Sequence, residues 1–252
     1  MSKPKLPTRA TLPPMSCFGC QNRDRTEWCV LAEDDVALID KSKAAKAYQP
    51  GQILYNQGDP CRGIFCIESG TVAIRKMDAE GSSKILRLAH AGMTLGYADY
   101  FGDKGYNGNA ESLDAVTACF IDRNSLRTLL DHNPALGLRF LRHIAEDLKD
   151  AEESSMQQAL YTVRIRLAHL LLTLKDHYAS VDEDGTIVMS LPMTRQDIAA
   201  LLGARPETIY RTIQQMETDK VVNFSGHTVI IPDLDLLLDE IEAPSERGDA
   251  AD

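Results

Sequence analysis

The chain has 252 residues, of which 44% are hydrophobic. That is enough for one large or two modest folded domains. No apolar run could cross a bilayer, and Met1–Met15 is polar and proline-bearing, so a membrane span and a secretory signal are both argued against and a cytoplasmic location is expected. The formal charge of −10 looks unfavourable for nucleic acid, yet residues 233–252 hold eight acids against one arginine, and charge placed there is screened beyond roughly 8–10 Å.

In chain order, residues 1–33 hold Cys17, Cys20 and Cys29, an isolated Trp28 and no regular period. They read as a loop folded around something. From about Tyr48 to Ile121 short alternating apolar runs are cut by glycine turns, as in GQILYNQGD, GIFCIESGTVAIRKMD and DAVTACFID. Strands so short and so regularly interrupted predict a sandwich or barrel.

The period then changes. Asn133-Pro134 predicts a helix start, with Asn as cap and Pro in the first turn. Leu141, Ile144, Leu148 and Ala151 then recur at alternating spacings of three and four, a narrow seam of the coiled-coil kind. Such a seam is expected to pair with a second copy of the chain; docking on the barrel is the alternative. Continued in register it turns polar at Ser155, Gln158 and Thr162, so its second half should hold weakly. A further helix over about 163–177 carries Ile165, Leu167, Leu170, Leu171 and Leu174 as core. The turn VDEDG and the strand TIVMSLP follow.

The segment MTRQDIAALLGARPETIYRTIQQMETDKVV carries the most information. Thr194 can cap a helix whose Ile198, Leu201 and Leu202 face inward, Gly203 supplies a sharp turn, and Pro206 opens a second helix. Ile209, Ile213 and Met216 form the buried stripe of that helix; Arg205, Glu207, Tyr210 and Arg211 form the outward face. The first turn of such a helix reaches base edges in the major groove. There Glu accepts from cytosine N4 and Arg bridges guanine O6 and N7. Glu207 and Arg211, four apart, could instead only brace each other. The next run, VVNFSGHTVII, reads as a hairpin wing around Ser225-Gly226-His227, placed to touch phosphates.

The cysteines form a second constellation. In a reducing compartment clustered cysteines point to metal or redox work. Cys17-x2-Cys20-x8-Cys29 puts three thiols in one short segment, whereas a [4Fe–4S] cluster takes four. Spacing leaves the fourth open among Cys61, Cys66 and Cys119, with Cys66 expected in strand core and Cys61 exposed in a turn. A mononuclear zinc site has the same spacing, and redox sensing by the thiols alone needs no metal.

The order of these parts resembles the CRP/FNR superfamily of bacterial regulators, over roughly Cys17 to Ile231. GDPCRGIFCIESG resembles that family's GD…SG turns, and MTRQDIAALLG…ETIYR its helix-turn-helix signature. The resemblance implies an α+β chain with a cyclic-nucleotide-binding-like β-roll (jelly roll), a long dimerisation helix through Leu141, Ile144, Leu148, Ala151 and Ser155, and a C-terminal winged helix-turn-helix. It implies a homodimer on a palindromic double-stranded DNA operator, with RNA polymerase as a further partner. Glu207 and Arg211 would read a GA core, while Thr194, Arg195, Gln196, Ser225 and His227 would touch phosphates or neighbouring groups. Pro206 and Tyr210 depart from the residues of the better-known branches, which leaves the outer bases open.

The resemblance is to the FNR branch in particular, and it implies an oxygen- or NO-labile [4Fe–4S] cluster on Cys17, Cys20, Cys29 and Cys119. Alone, Cys119 would read equally as a small buried hydrophobe. Cyclic nucleotide is not expected: Tyr97 replaces the glutamate of the phosphate cassette, and no arginine stands near Gly108-Asn109-Ala110 to offset a buried phosphate. Ala151 stands where some relatives place an acid, which leaves open whether the dimer depends on the cluster. The expected parts are a cluster-binding segment at 1–33, the β-roll at 34–131, the dimerisation helix at 132–160, the DNA-binding domain at 161–242 and an acidic, disordered tail at 243–252. No phosphate loop, nucleophile elbow or HExxH motif suggests an enzyme. An iron–sulfur electron carrier would explain the cysteines but not ETIYR.

Overall fold

Alternation with a period of two organises the first half of the molecule. The computed structural model describes residues 16–78, 83–182 and 185–242, so residues 1–15 of the cysteine-bearing segment and the expected acidic tail lie outside the described residues. Two compact groupings appear, one of residues up to 72 together with 89–143, the other of 73–88 together with 144 onward.

In the first grouping, β1 (Ala44–Tyr48), β8 (Val116–Asp122), β3 (Gly63–Ser69) and β6 (Thr94–Leu95) form an antiparallel sheet in that order. Phe65 lies opposite Phe120, and Cys66 directly opposite Cys119. Opposed residues share a face. One face therefore carries the Phe65 and Phe120 rings, 4.9 Å apart, beside the stacked pair Tyr55 and Tyr106 at 3.9 Å. The other carries Ile64, Cys66, Cys119 and Ile121. The strands meet closely at Gly63, where a Cβ would come within 2.1 Å of the Ile121 carbonyl oxygen, so only glycine fits. Beside this sheet β2 (Ile53–Tyr55) pairs with β7 (Asn109–Ser112). The helices are α1 (Glu33–Ser42), α2 (Tyr97–Phe101), α3 (Arg123–His132) and the start of α4 (Pro134–Leu160).

Trp28, isolated in the sequence, ties the cysteine-bearing segment to this body. Its Nε1–H donates to the Thr94 hydroxyl at 3.2 Å, and its buried ring meets Phe140 of α4 edge-on at 5.7 Å. Asn133 stands just ahead of Pro134 where α4 opens, as expected, and has a second part as well. It closes α3, and its side-chain nitrogen donates to the Val30 carbonyl and to Asp35, because α4 starts directly after α3 and this amide serves to tether the N-terminal segment. Along α4 the expected seam faces outward in a single copy: Leu141 and Leu148 are 60% and 61% exposed, Ala151 and Ser155 are exposed, and Ile144 is half-buried.

The second grouping holds β4 (Val72–Met77) from Ala73 onward, β5 (Ser83–Ala89) up to Leu88, the rest of α4, α5 (Val163–Tyr178), β9 (Ala179–Val181), β10 (Ile187–Ser190), α6 (Arg195–Leu202), α7 (Pro206–Thr218), β11 (Asn223–Ser225), β12 (Thr228–Ile231) and α8 (Leu234–Glu242). A sheet of order β11-β12-β10-β9 lies with α5, whose Ile165, Leu167, Leu171 and Leu174 are buried as expected; Leu170 is half-buried and Ala168 is buried as well. The sequence showed α8 only as part of an acidic stretch. It forms because Leu237 is buried and Glu240 takes two hydrogen bonds from Arg164, at 2.6 and 2.5 Å. Arg75 of β4 donates to Asp197 of α6 at 2.7 Å.

Trp28→Ala should cost about 3–5 kcal/mol of unfolding free energy, the usual range for deleting a buried aromatic. Urea denaturation checks this, and a loss below about 1 kcal/mol would reject the anchoring role. Asp197 yields a pH prediction. Burial opposes its ionisation, but the Thr194 N–H, the Arg75 guanidinium and the Thr194 hydroxyl together hold its carboxyl below the ordinary range. The stabilisation is therefore full above the unfolded value near pH ~4 and is lost as pH falls through the lower folded value. The stability gap between wild type and Asp197→Asn should hold from pH ~6 to pH ~4 and shrink from there down to pH ~3. A gap that stayed constant across that range would contradict it.

Candidate functional site

Local chemistry builds the helix pair. Thr194 caps α6 by accepting from the Asp197 N–H, while the Asp197 carboxylate accepts from the Thr194 N–H at 2.7 Å, a reciprocal capping box. Gly203 ends α6 in the left-handed region at φ +63°, and Pro206 starts α7. Ile198, Leu202, Ile209, Ile213 and Met216 are buried as expected; Leu201 is half-buried and Ala199 is buried instead.

The outward face of α7 presents Glu207, Tyr210 and Arg211, all exposed, with exposed Arg205 just ahead of its first turn. Among the described residues no ion pair joins Glu207 to Arg211, so both heads point to solvent unspent. Arg195 is placed differently. Its guanidinium lies over the Tyr210 and Phe224 rings at 5.4 and 5.8 Å and donates to the Phe224 carbonyl at 3.3 Å. It braces α6 and α7 against the wing, a role the sequence pattern did not reveal. Ser225 and His227 flank Gly226 at the wing tip, where His227 Nδ1 lies 3.1 Å from the Leu191 carbonyl oxygen. Gln196 is exposed; the Thr194 hydroxyl is held by the Asp197 carboxylate at 2.8 Å.

The second site lies on the other sheet face of the first grouping. Cys17, Cys20, Cys66 and Cys119 line one cavity of about 60 Å³, walled by apolar side chains such as Val36, Ile39 and Ile121. Cys29 is exposed and does not line it. Three of the four thiols singled out in the sequence are thus brought together, and Cys66 joins them. Cys66 had been expected simply as core; alternation located its face but not what covers that face. Cys61, expected exposed, is buried: its thiol lies 3.5 Å from the Gly63 carbonyl oxygen. The turn that carries it tucks in beneath Tyr106, whose hydroxyl donates to the same carbonyl.

Burial pushes the Cys17 thiol up, with nearby Lys43 opposing. Burial first, then the charge of Glu27, pushes Cys66 well up. Burial and the charge of Glu68 push Cys119 to about 11. These groups are protonated at neutral pH and would release protons on meeting a cation. Lys43 pairs with Asp40, whose carboxylate also accepts from the Cys17 N–H at 2.6 Å, which fixes the turn that bears Cys17. Glu27 is 3% exposed, and among the described residues its Oε1 has no hydrogen-bond partner. Among the described residues no three His, Cys, Asp or Glu side chains gather closely enough for a single ion. In donor chemistry the cavity fits an iron–sulfur cluster: soft thiols, apolar walls and a nearby cation.

Comparison with known proteins agrees with the two halves of the chain. Residues 45–133 match a cyclic nucleotide-binding domain, and residues 165–240 match a Crp-like helix-turn-helix domain. The transcriptional activator protein FnrL of Cereibacter sphaeroides is 25% identical, covering 92% of this chain and 94% of its own. The fumarate and nitrate reduction regulatory protein of Vibrio cholerae is 26% identical over 84% of this chain and 86% of its own. The structure of FixK2 from Bradyrhizobium japonicum superposes with a TM-score of 0.70 at 22% identity, covering 81% of this chain and 99% of that one. Among the described residues no helix is long and apolar enough to cross a membrane. A β-roll of the cyclic-nucleotide-binding kind joined to a Crp-like helix-turn-helix places this chain in the CRP/FNR family of DNA-binding transcription regulators.

Proposed function

We propose that this regulator binds a palindromic operator as a homodimer and that an oxygen- or NO-labile [4Fe–4S] cluster, held by its own cysteines, controls that binding. One observation carries the reading: Cys17 and Cys20 line one apolar cavity together with Cys119, which is distant from them in sequence. Similarity to FnrL and to a fumarate and nitrate reduction regulator supports it. Tyr97, buried against Phe140 and His143, fills the place of the phosphate-binding glutamate, which supports a β-roll that takes no cyclic nucleotide.

The cluster supplies a redox-labile link among thiolates that otherwise have no bond between them. This chain's residues do the rest. Asp40 and Lys43 hold the turn at Cys17, and Trp28 carries the position of that segment to Phe140 in the first turns of α4. The exposed stripe of α4, Leu141, Leu148 and Ala151, meets its copy, and its pose sets the spacing of the two α7 helices at one turn of DNA. Glu207 and Arg211 then read base edges, while Ser225 and His227 sit near phosphates. RNA polymerase would be met by the DNA-bound dimer.

Anaerobic purification, iron and sulfide assay, and a visible spectrum before and after air test the cluster. Iron and sulfide in equal amounts, and a spectrum bleached by air with loss of DNA affinity, are expected. Zinc alone, or colourless protein whose DNA binding follows thiol oxidants, overturns the cluster and leaves the regulator. Arg211→Ala should cost about 1–3 kcal/mol of discrimination at one base pair. Mobility shifts on operator variants measure it, and an unchanged preference refutes the assignment of α7.

A further inference from the structure

We infer that strands β4 and β5 form a strut between the long helix α4 and the pair α6–α7, and that their Arg75 and Lys84 are positioning residues that set the half-site spacing this regulator accepts. The inference rests on the homodimer reading above and names what holds the angle at which each copy offers its α7.

Chain connectivity creates the need for such a strut. Helix α4 ends at Leu160 and α5 begins at Val163, so Tyr161 and Thr162 alone join the long helix to the DNA-binding half. A joint of two residues can absorb a large change of backbone torsion unless side chains brace it. The seam of α4 gives little help there, because its register turns polar at Ser155 and Gln158.

Three side chains of the neighbouring strands β4 and β5 supply the brace. Arg87 donates to Asp147 of α4 at 2.6 Å, and Lys84 donates to the Gln158 amide oxygen near the end of α4 at 2.9 Å. Arg75 donates to Asp197 of α6 at 2.7 Å, with the two side chains only 15% and 16% exposed. Salt screens a pair so shielded much less than one on open surface. The Lys84 contact also lies beside the turn between α6 and α7: a Cβ on Gly203 would stand 3.5 Å from the Gln158 amide oxygen and 3.8 Å from Lys84 Cε. The strut therefore grips α4 at two points, and it meets α6 at its opening and beside the turn that closes it. Adding one base pair between half-sites moves the second by about 3.4 Å and turns it by about 34°. A braced reading pair cannot follow that change, whereas a loose one can.

The test uses full-length protein loaded anaerobically with iron and sulfide, and a palindromic duplex that the wild type itself selects from a random pool. Two further duplexes gain or lose one base pair at the centre. Wild type should bind these about tenfold more weakly than the selected one. In Arg75→Met, which spares the Asp197 capping box, that ratio should fall to about threefold, while affinity for a duplex with a single half-site changes by less than about twofold. Arg75→Lys, which keeps a cationic donor for Asp197, should restore the ratio. Lys84→Met, at an exposed side chain, should also lower it, by about twofold. Variants that keep the wild-type ratio, or that weaken every duplex by one common factor as a purely structural role would, overturn the inference. Should Arg75→Met not fold by circular dichroism, Lys84→Met decides. Wild type that binds all three duplexes alike, or selects no palindrome, overturns the homodimer reading and this inference with it, an outcome distinct from a spacing-strict wild type with equally strict variants.

Discussion

The indole of Trp28 is the contact on which the first grouping depends. Its N–H is given to Thr94, the Thr94 hydroxyl in turn leans on the Cys66 sulfur, and the ring lies against Phe140. A segment with almost no regular structure, three short 3-10 turns, is thereby fixed at a sheet face and at a helix start at once. Without that buried anchor its few backbone hydrogen bonds would have to hold an ordered loop against chain entropy of about 1–2 kcal/mol per residue. The anchor explains both why a thiol-lined cavity exists and why one thiol of the segment faces away from it.

The two functional regions use opposite physics. The cavity is apolar and raises the cost of charge placed in it, and burial pushes the Cys17, Cys66 and Cys119 thiols up. The α7 face leaves a carboxylate and a guanidinium uncompensated in water, cheap to hold and available to a groove.

Much of this was legible in the sequence. The capping box at Thr194, the turn at Gly203, the proline opening α7 and the buried stripe of Ile209, Ile213 and Met216 are all local signals, and each falls where its chemistry placed it. Long-range relations were not legible. Strand alternation gave Cys66 a face but not the loop that roofs it; a turn signature suggested exposure for Cys61, yet Tyr106 and Gly63 enclose it. Asn133 stands at the opening of α4 as local capping chemistry suggested, but the tether of its amide to Val30 across the fold was not readable. Helix α8 was hidden by its charge, since the partner that makes Glu240 tolerable, Arg164, lies far back along the chain.

The Arg75–Asp197 pair has a consequence for how variation can spread. Asp197 both completes the cap of α6 and neutralises a guanidinium that strand β4 contributes from 122 residues earlier. A mutation at Arg75 changes no residue of α6 or α7, yet it strips a counter-ion from the carboxylate that opens α6. Natural drift at a strand position can thus alter the opening of α6 while every side chain of α6 and α7 is retained.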